Sequence, residues 1–221
     1  MKKSTVVFII LLILLIDQAS KFYIKTNFYL GESVTVFNNW FKIFFIENEG
    51  MAWGWKLGES GTNGKLVLTL FRLVAVIFGG FYIRSILKNK LHKGYILCVA
   101  LIFAGAIGNL IDSLFYGMIF SDSDPYIKNV AQFIPEGGGY GTFLHGKVVD
   151  MLYFPIFNGR FPEWLPIWGG ETFEFFSPVF NIADASISIG LIIIILMQKR
   201  FFSKKEEEIT NQETPEVNNL S

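Results

Sequence analysis

Four aspartates stand in apolar surroundings: Asp17, Asp112, Asp150 and Asp184. Asp17 interrupts an apolar run that begins at Thr5, Asp112 lies near the end of one running from Gly94 to about Phe115, and Asp184 lies near the start of one ending at Met197. Asp150 sits inside Val148-Val149-Asp150-Met151-Leu152-Tyr153-Phe154. A carboxylate next to a bilayer is costly, so each needs a partner or a task. Asp17 and Lys21 form an i, i+4 pair, whose ordinary role is structural. Asp112 follows Asn109 by three positions, so both face one way on a helix, as polar glue or as part of a site. Asp150 and Asp184 have no cation at helical spacing unless Lys147 reaches back to Asp150. An unpaired buried carboxylate tends to keep its proton. Two brought together would share one, as in an aspartic protease, where one acid activates water and the other polarises the peptide carbonyl. Asn48, Asn109 and Asn181 fall near the same boundary; such amides cross-link helices, or around a dyad hold a substrate's main chain. The residues alone leave the dyad open against acids that serve as proton relays in a transporter or scaffold.

The elements that would position these residues follow from composition. The chain has 221 residues, 52% hydrophobic and only 17% charged, with a mean hydropathy of +0.43. A soluble protein would be about a quarter charged. Four membrane helices of about 20 residues each would absorb most of the apolar content. Disordered, collagen-like and disulfide-scaffold classes are excluded for the bulk of the chain. With 19 basic and 19 acidic residues, no nucleic-acid partner is expected. Cys98 stands alone, and His92 and His145 are far apart, so no disulfide, metal or cofactor is expected.

Spans are expected at about 4–24, 66–87, 94–115 and 180–197. The first resembles a signal peptide, but it lacks a small-x-small cleavage site and reads as an uncleaved helix. Within 27–64, Ser33–Phe37 and Phe41–Ile46 alternate as strands, with turns at Asn38-Asn39 and Asn48-Glu49-Gly50. Segment 116–178 reads as an extended outer loop, and 201–221 as a disordered cytoplasmic tail. Lys2, Lys3, Arg84, Lys88, Lys90, Lys93, Lys199, Arg200, Lys204 and Lys205 collect on one side. Both termini should therefore be cytoplasmic, with 27–64 and 116–178 facing outward.

Five elements in order resemble the lipoprotein signal peptidase (signal peptidase II) family across roughly residues 10–200. Asp17-Gln18-Ala19-Ser20-Lys21 is similar to its D-x-x-x-K element, and Asn48-Glu49-Gly50-Met51-Ala52-Trp53-Gly54 to N-x-G-x-A-F/W-G. Gly105-Ala106-Ile107-Gly108-Asn109-Leu110-Ile111-Asp112 is similar to G-A-x-G-N-x-x-D, Val148-Val149-Asp150-Met151 to V-V-D-F, and Phe180-Asn181-Ile182-Ala183-Asp184 to F-N-x-A-D. The resemblance implies a multi-pass, all-α protein of the bacterial inner membrane, with four spans, a small extracytoplasmic β-cradle and an active site near the outer face. It implies an aspartic endopeptidase that cuts diacylglyceryl-modified prolipoproteins just before the lipidated cysteine. Asp150 and Asp184 would be its catalytic dyad. Asn48, Gly50, Asn109 and Asn181 would line the groove, and Asp112, Ala183, Asp17 and Lys21 would support it. Membrane lipid is an expected partner, and a monomer is expected.

The chain departs from the family pattern in places. Ser113 stands where an arginine usually follows Asp112, so another cation, Arg72 or Lys147, must supply whatever that arginine does. Met151 replaces an aromatic, and extensions fall at 117–146 and near 156–178, where they are expected to cover the groove or widen its contacts. Rival enzyme readings are weak. Gly58-Glu59-Ser60-Gly61 matches the serine-protease pattern G-x-S-G but falls in an expected loop, and neither His-Glu-x-x-His nor Gly-x-Gly-Asp occurs.

Overall fold

The computed structural model describes residues 1–38, 40–48 and 62–213. Gly50, the second residue of the Asn38-Asn39 turn, most of the 48–54 element and the Gly58–Gly61 motif lie outside the described residues. The helices are α1 (Lys3–Asn27), α2 (Thr62–Lys88), α3 (Lys93–Ile111), a short α4 (Gly117–Ile119) and α5 (Ile182–Glu213). A π-helical turn, Asp112–Tyr116, joins α3 to α4. Among the described residues, four stretches are long and apolar enough to cross a membrane: Lys3–Asn27, Gly64–Lys88, Lys93–Ile119 and Ile182–Phe202. At 1.5 Å per residue, each reaches across a hydrocarbon core of about 30 Å. Their outward faces carry exposed apolar side chains, among them Phe8, Leu15, Phe71, Phe78, Phe81 and Leu196. That inverts the rule for soluble helices and suits a lipid solvent.

α3 is the central helix, buried along Ile96, Ala100, Ala104, Gly105 and Gly108, and it packs against α1, α2 and α5. Small residues allow this closeness. A Cβ at Gly105 would meet the Ala183 carbonyl oxygen at 2.3 Å, and one at Gly108 would meet Asp17 Oδ2 at 2.6 Å. Where α5 passes Cys98, a Cβ at Gly190 would meet the Cys98 carbonyl oxygen at 2.7 Å. His92 caps α3, its Nδ1 accepting from the Gly94 amide at 3.2 Å.

An all-α description is too narrow. The chain also forms a four-stranded antiparallel sheet in the order β1-β2-β3-β6, made of β1 (Ser33–Phe37), β2 (Phe41–Asn48), β3 (Val148–Tyr153) and β6 (Val179–Phe180). A separate hairpin pairs β4 (Phe157–Arg160) with β5 (Thr172–Phe175). One strand of the larger sheet, β3, and the whole of the β4-β5 hairpin therefore come from 116–178, the segment expected as a loop, and β6 follows just after it. The sheet follows the C-terminal ends of α1 and α3 and precedes α2 and α5 in the chain, so it lies where Asp112 and Asp184 sit.

Two further expectations change. The 117–146 extension contributes to the core: Phe120 and Ala131 are buried, and Tyr140 packs against them with Ile24, Phe45 and Met151. Aromatic mass drives this, with Phe120 against Phe22, Tyr116 and Phe133. The chain after residue 201, expected to be disordered, continues α5 as far as Glu213. Lysine and glutamate are good helix formers, and extending a nucleated helix is easier than starting one. Residues 214–221 lie outside the described residues.

Candidate active site

Two carboxylates meet from different elements. Asp150 is the third residue of β3, opposite Ile46 of β2, and it is 1% exposed. Asp184 lies in the first turn of α5 and is half-buried. The start of α5 explains its position. Asn181 Oδ1 accepts from the Asp184 amide at 2.8 Å, and Asp184 Oδ2 accepts from the Asn181 amide at 3.4 Å. This reciprocal arrangement is a capping box, so the F-N-x-A-D element is first of all a helix start.

Asparagines tie the acids to each other. Asn181 Nδ2 donates to Asp150 Oδ1 at 2.7 Å, and Asn48 Nδ2 to Asp150 Oδ2 at 3.1 Å. Asn109 Nδ2 donates to Asp184 Oδ1 at 2.7 Å, while Asn109 Oδ1 accepts from Asn181 Nδ2 at 3.2 Å. The same Asn181 amide reaches the Val149 carbonyl at 3.3 Å. Each acid thus accepts from one amide of a linked pair. Burial, with the charge of Asp184 next, pushes the Asp150 carboxyl up to about 7; hydrogen bonds from Asn48 and Asn181 oppose that shift.

Beneath this layer lies a second, fully enclosed one. Lys21 Nζ stands 2.9 Å from Asp17 Oδ2, 2.8 Å from Asp112 Oδ2 and 3.0 Å from Asn109 Oδ1. Asp17 and Lys21 therefore pair as their spacing suggests, and Asp112 joins them. Asp17 Oδ1 also accepts from the Ala183 amide at 2.8 Å, anchoring the α5 start on α1. Asp112 Oδ2 receives the Val149 amide at 3.4 Å, which fixes β3 next to α3. The expected site residues other than Gly50, which lies outside the described residues, fall in these two layers.

The sequence reading missed Gln18. Its Nε2 donates to Asp112 Oδ1 at 2.8 Å and Asp17 Oδ2 at 3.1 Å, and its Oε1 accepts from the Tyr116 hydroxyl at 3.3 Å. A glutamine next to Asp17 within an apolar span was the available signal. Of the two cations suggested for the Ser113 position, Arg72 is the one present there, with Nη1 donating to Ser113 Oγ at 2.8 Å. Lys147 turns to Glu47 instead, at 3.3 Å.

Comparisons with known proteins agree with this arrangement. The family described as signal peptidase (SPase) II matches residues 9–200. A lipoprotein signal peptidase of Porphyromonas gingivalis is 50% identical over 186 residues, covering 84% of this chain and 78% of the relative. One from Amoebophilus asiaticus is 35% identical over 188 residues, covering 84% and 73%. A solved bacterial membrane enzyme shares the fold, with a TM-score of 0.57 at 24% identity over 89% of this chain and 93% of its own. The match over most of its length and the half-identical relative place the chain in the signal peptidase II family.

Proposed function

We propose that the chain removes signal peptides from prolipoproteins carrying diacylglyceryl on the lipobox cysteine, cutting just before that cysteine, with Asp150 and Asp184 as the catalytic pair. The family membership carries the peptidase activity and the kind of substrate. The observation that supports the residue assignment is the pair of linked asparagines, each donating to one carboxylate. Asp150, buried and raised toward neutrality, holds the shared proton and polarises the scissile carbonyl. Asp184, half-exposed, acts as base toward the attacking water. The family resemblance assigns Asn48 and Gly50 to the substrate groove, while Asp17, Lys21 and Asp112 hold the scaffold below the dyad, and the Ala183 amide ties the start of α5 to Asp17.

The protein acts in the bacterial membrane, and we place both termini in the cytoplasm. Lys2, Lys3, Arg84, Lys88 and Lys93 cluster at the helix ends away from the sheet, which favours that orientation. The sheet then forms a cradle at the outer face, where a monomer takes its substrate from the lipid.

Cleavage of a diacylglyceryl-modified prolipoprotein by detergent-purified protein tests this reading. Asp150→Asn and Asp184→Asn should each abolish cleavage while the protein remains folded. Full activity in either variant would remove that residue from the dyad.

A further inference from the structure

Arg72 is an arginine inside a membrane span, eight positions and about 12 Å along α2 from Gly64. Such a residue needs a reason to be there. Its guanidinium bonds Ser113 Oγ at 2.8 Å, and Ser113 Oγ in turn donates to the Asn109 carbonyl at 2.9 Å. Asn109 is the residue whose side chain holds Asp184 at 2.7 Å. Arg72 thus lies two bonded groups from a carboxylate of the proposed dyad. Its charge also attracts Asp184, Asp112 and Asp150 without pairing directly to any of them.

The charges at this depth make that attraction consequential. Asp17 and Lys21 come from α1, Asp112 from α3, Asp150 from β3 and Asp184 from α5. Among the described residues, four carboxylates share this depth with a single lysine, Lys21, which pairs with Asp17 and Asp112. Arg72 adds a second positive charge to the cluster. In a water-poor setting this reaches across distances that solvent would screen.

Resting on the dyad reading above, we propose that Arg72 is a positioning residue for the reaction. Through Ser113 it fixes the turn that holds Asn109 against Asp184, and its charge keeps the dyad singly ionised at the pH of the reaction. A cation brought from α2 thereby occupies the place beside residue 113.

The test is steady-state cleavage of a diacylglyceryl-modified prolipoprotein peptide from about pH 5 to about pH 9. Wild type is compared with Arg72→Met, Arg72→Lys and the double variant R72M/S113R. Arg72→Met should lower kcat about 10–100-fold with KM little changed. Its alkaline limb should move to higher pH, because losing a cation makes the acids hold protons more firmly. Arg72→Lys should keep the wild-type limb and lose only a few-fold in kcat, since charge remains while the planar fork is lost. R72M/S113R should recover both. A wild-type profile for Arg72→Met would overturn the proposal, as would a fall in kcat with an unmoved limb. If Arg72→Met does not fold, the double variant decides: cleavage with the wild-type limb supports the proposal, and a folded but inactive protein overturns it. Asp184→Asn separates the two readings, because its activity would overturn the dyad itself, whereas unaffected Arg72 variants alongside an inactive Asp184→Asn would overturn only this inference.

Discussion

Asp150 accepts hydrogen bonds from Asn48 at 3.1 Å and Asn181 at 2.7 Å, which favour the ionised carboxylate, yet burial and the charge of Asp184 push it up to about 7. Desolvation therefore outweighs hydrogen bonding at this position. Stability should depend on pH as a result. An acid raised above its ordinary value of 3.8 lets the folded protein bind a proton that the unfolded chain has already lost. Stability therefore falls as pH rises from about 4 to about 7 and levels off above that, by at most about 4 kcal/mol. Asp150→Asn has no proton to lose. Its thermal midpoint relative to wild type should be higher at about pH 8 than at about pH 4, where any fixed cost of the amide is the same. A gap that does not change with pH would mean that Asp150 titrates as an ordinary aspartate. At this scale the sequence was informative about identity and poor about linkage. The spacing of Asn181 and Asp184 shows a shared helix face, but the amide that reaches Asp150, 31 positions away, depends on how β3 is laid against α5.

At the scale of elements, the decisive feature is the π-helical turn Asp112–Tyr116. Widening the helix there leaves carbonyls without helical partners. Ser113 and Leu114 offer theirs to the amides of Gly146 and Leu144, at 2.9 and 3.2 Å. The chain entering β3 is thus docked on the turn that carries Asp112, two residues before Val148. Only glycine fits at 146, since a Cβ would meet the Asp112 carbonyl oxygen at 1.9 Å. Gly146→Ala should push this segment away and displace Asp150, costing about 1–3 kcal/mol and at least about tenfold in kcat. Gly137→Ala is the control, because nothing lies within 4 Å of a Cβ there. Equal thermal midpoints and cleavage rates for the two variants would rule out the docking role. The spans were legible because membrane helices need long apolar runs. β3 was not legible as a strand, since its first four residues are buried in succession and show no alternation. The π-turn has no signature in residue type at all.

Across the whole molecule, helices, sheet and extension are joined by a buried charge cluster away from the dyad. Lys25 of α1 is fully buried, bonded to Glu47 of β2 and to Ser123 Oγ of the extension at 2.8 Å. Glu47 also faces Lys147, just before β3, at 3.3 Å, and Lys25 lies 5.0 Å from the centre of the Tyr140 ring. No sequence pattern could reveal this, because Lys25 and Ser123 are 98 positions apart. In a chain with so little charge, ions placed at the junction of three elements fix how those elements sit together more than they stabilise any one of them. Glu47→Gln would leave Lys25 buried without its carboxylate and should destabilise the protein by about 3–5 kcal/mol. Replacing both partners, Lys25→Met with Glu47→Leu, removes the desolvation cost along with the attraction, so it should be much less damaging than the single change. Thermal unfolding in detergent distinguishes the cases. If the double variant were as unstable as Glu47→Gln, the attraction within the cluster would exceed its desolvation cost, and the cluster would be a net source of stability. If instead stability returns, residual cleavage by the double variant measures what the cluster contributes to placing β3, because no atom of the dyad has been changed.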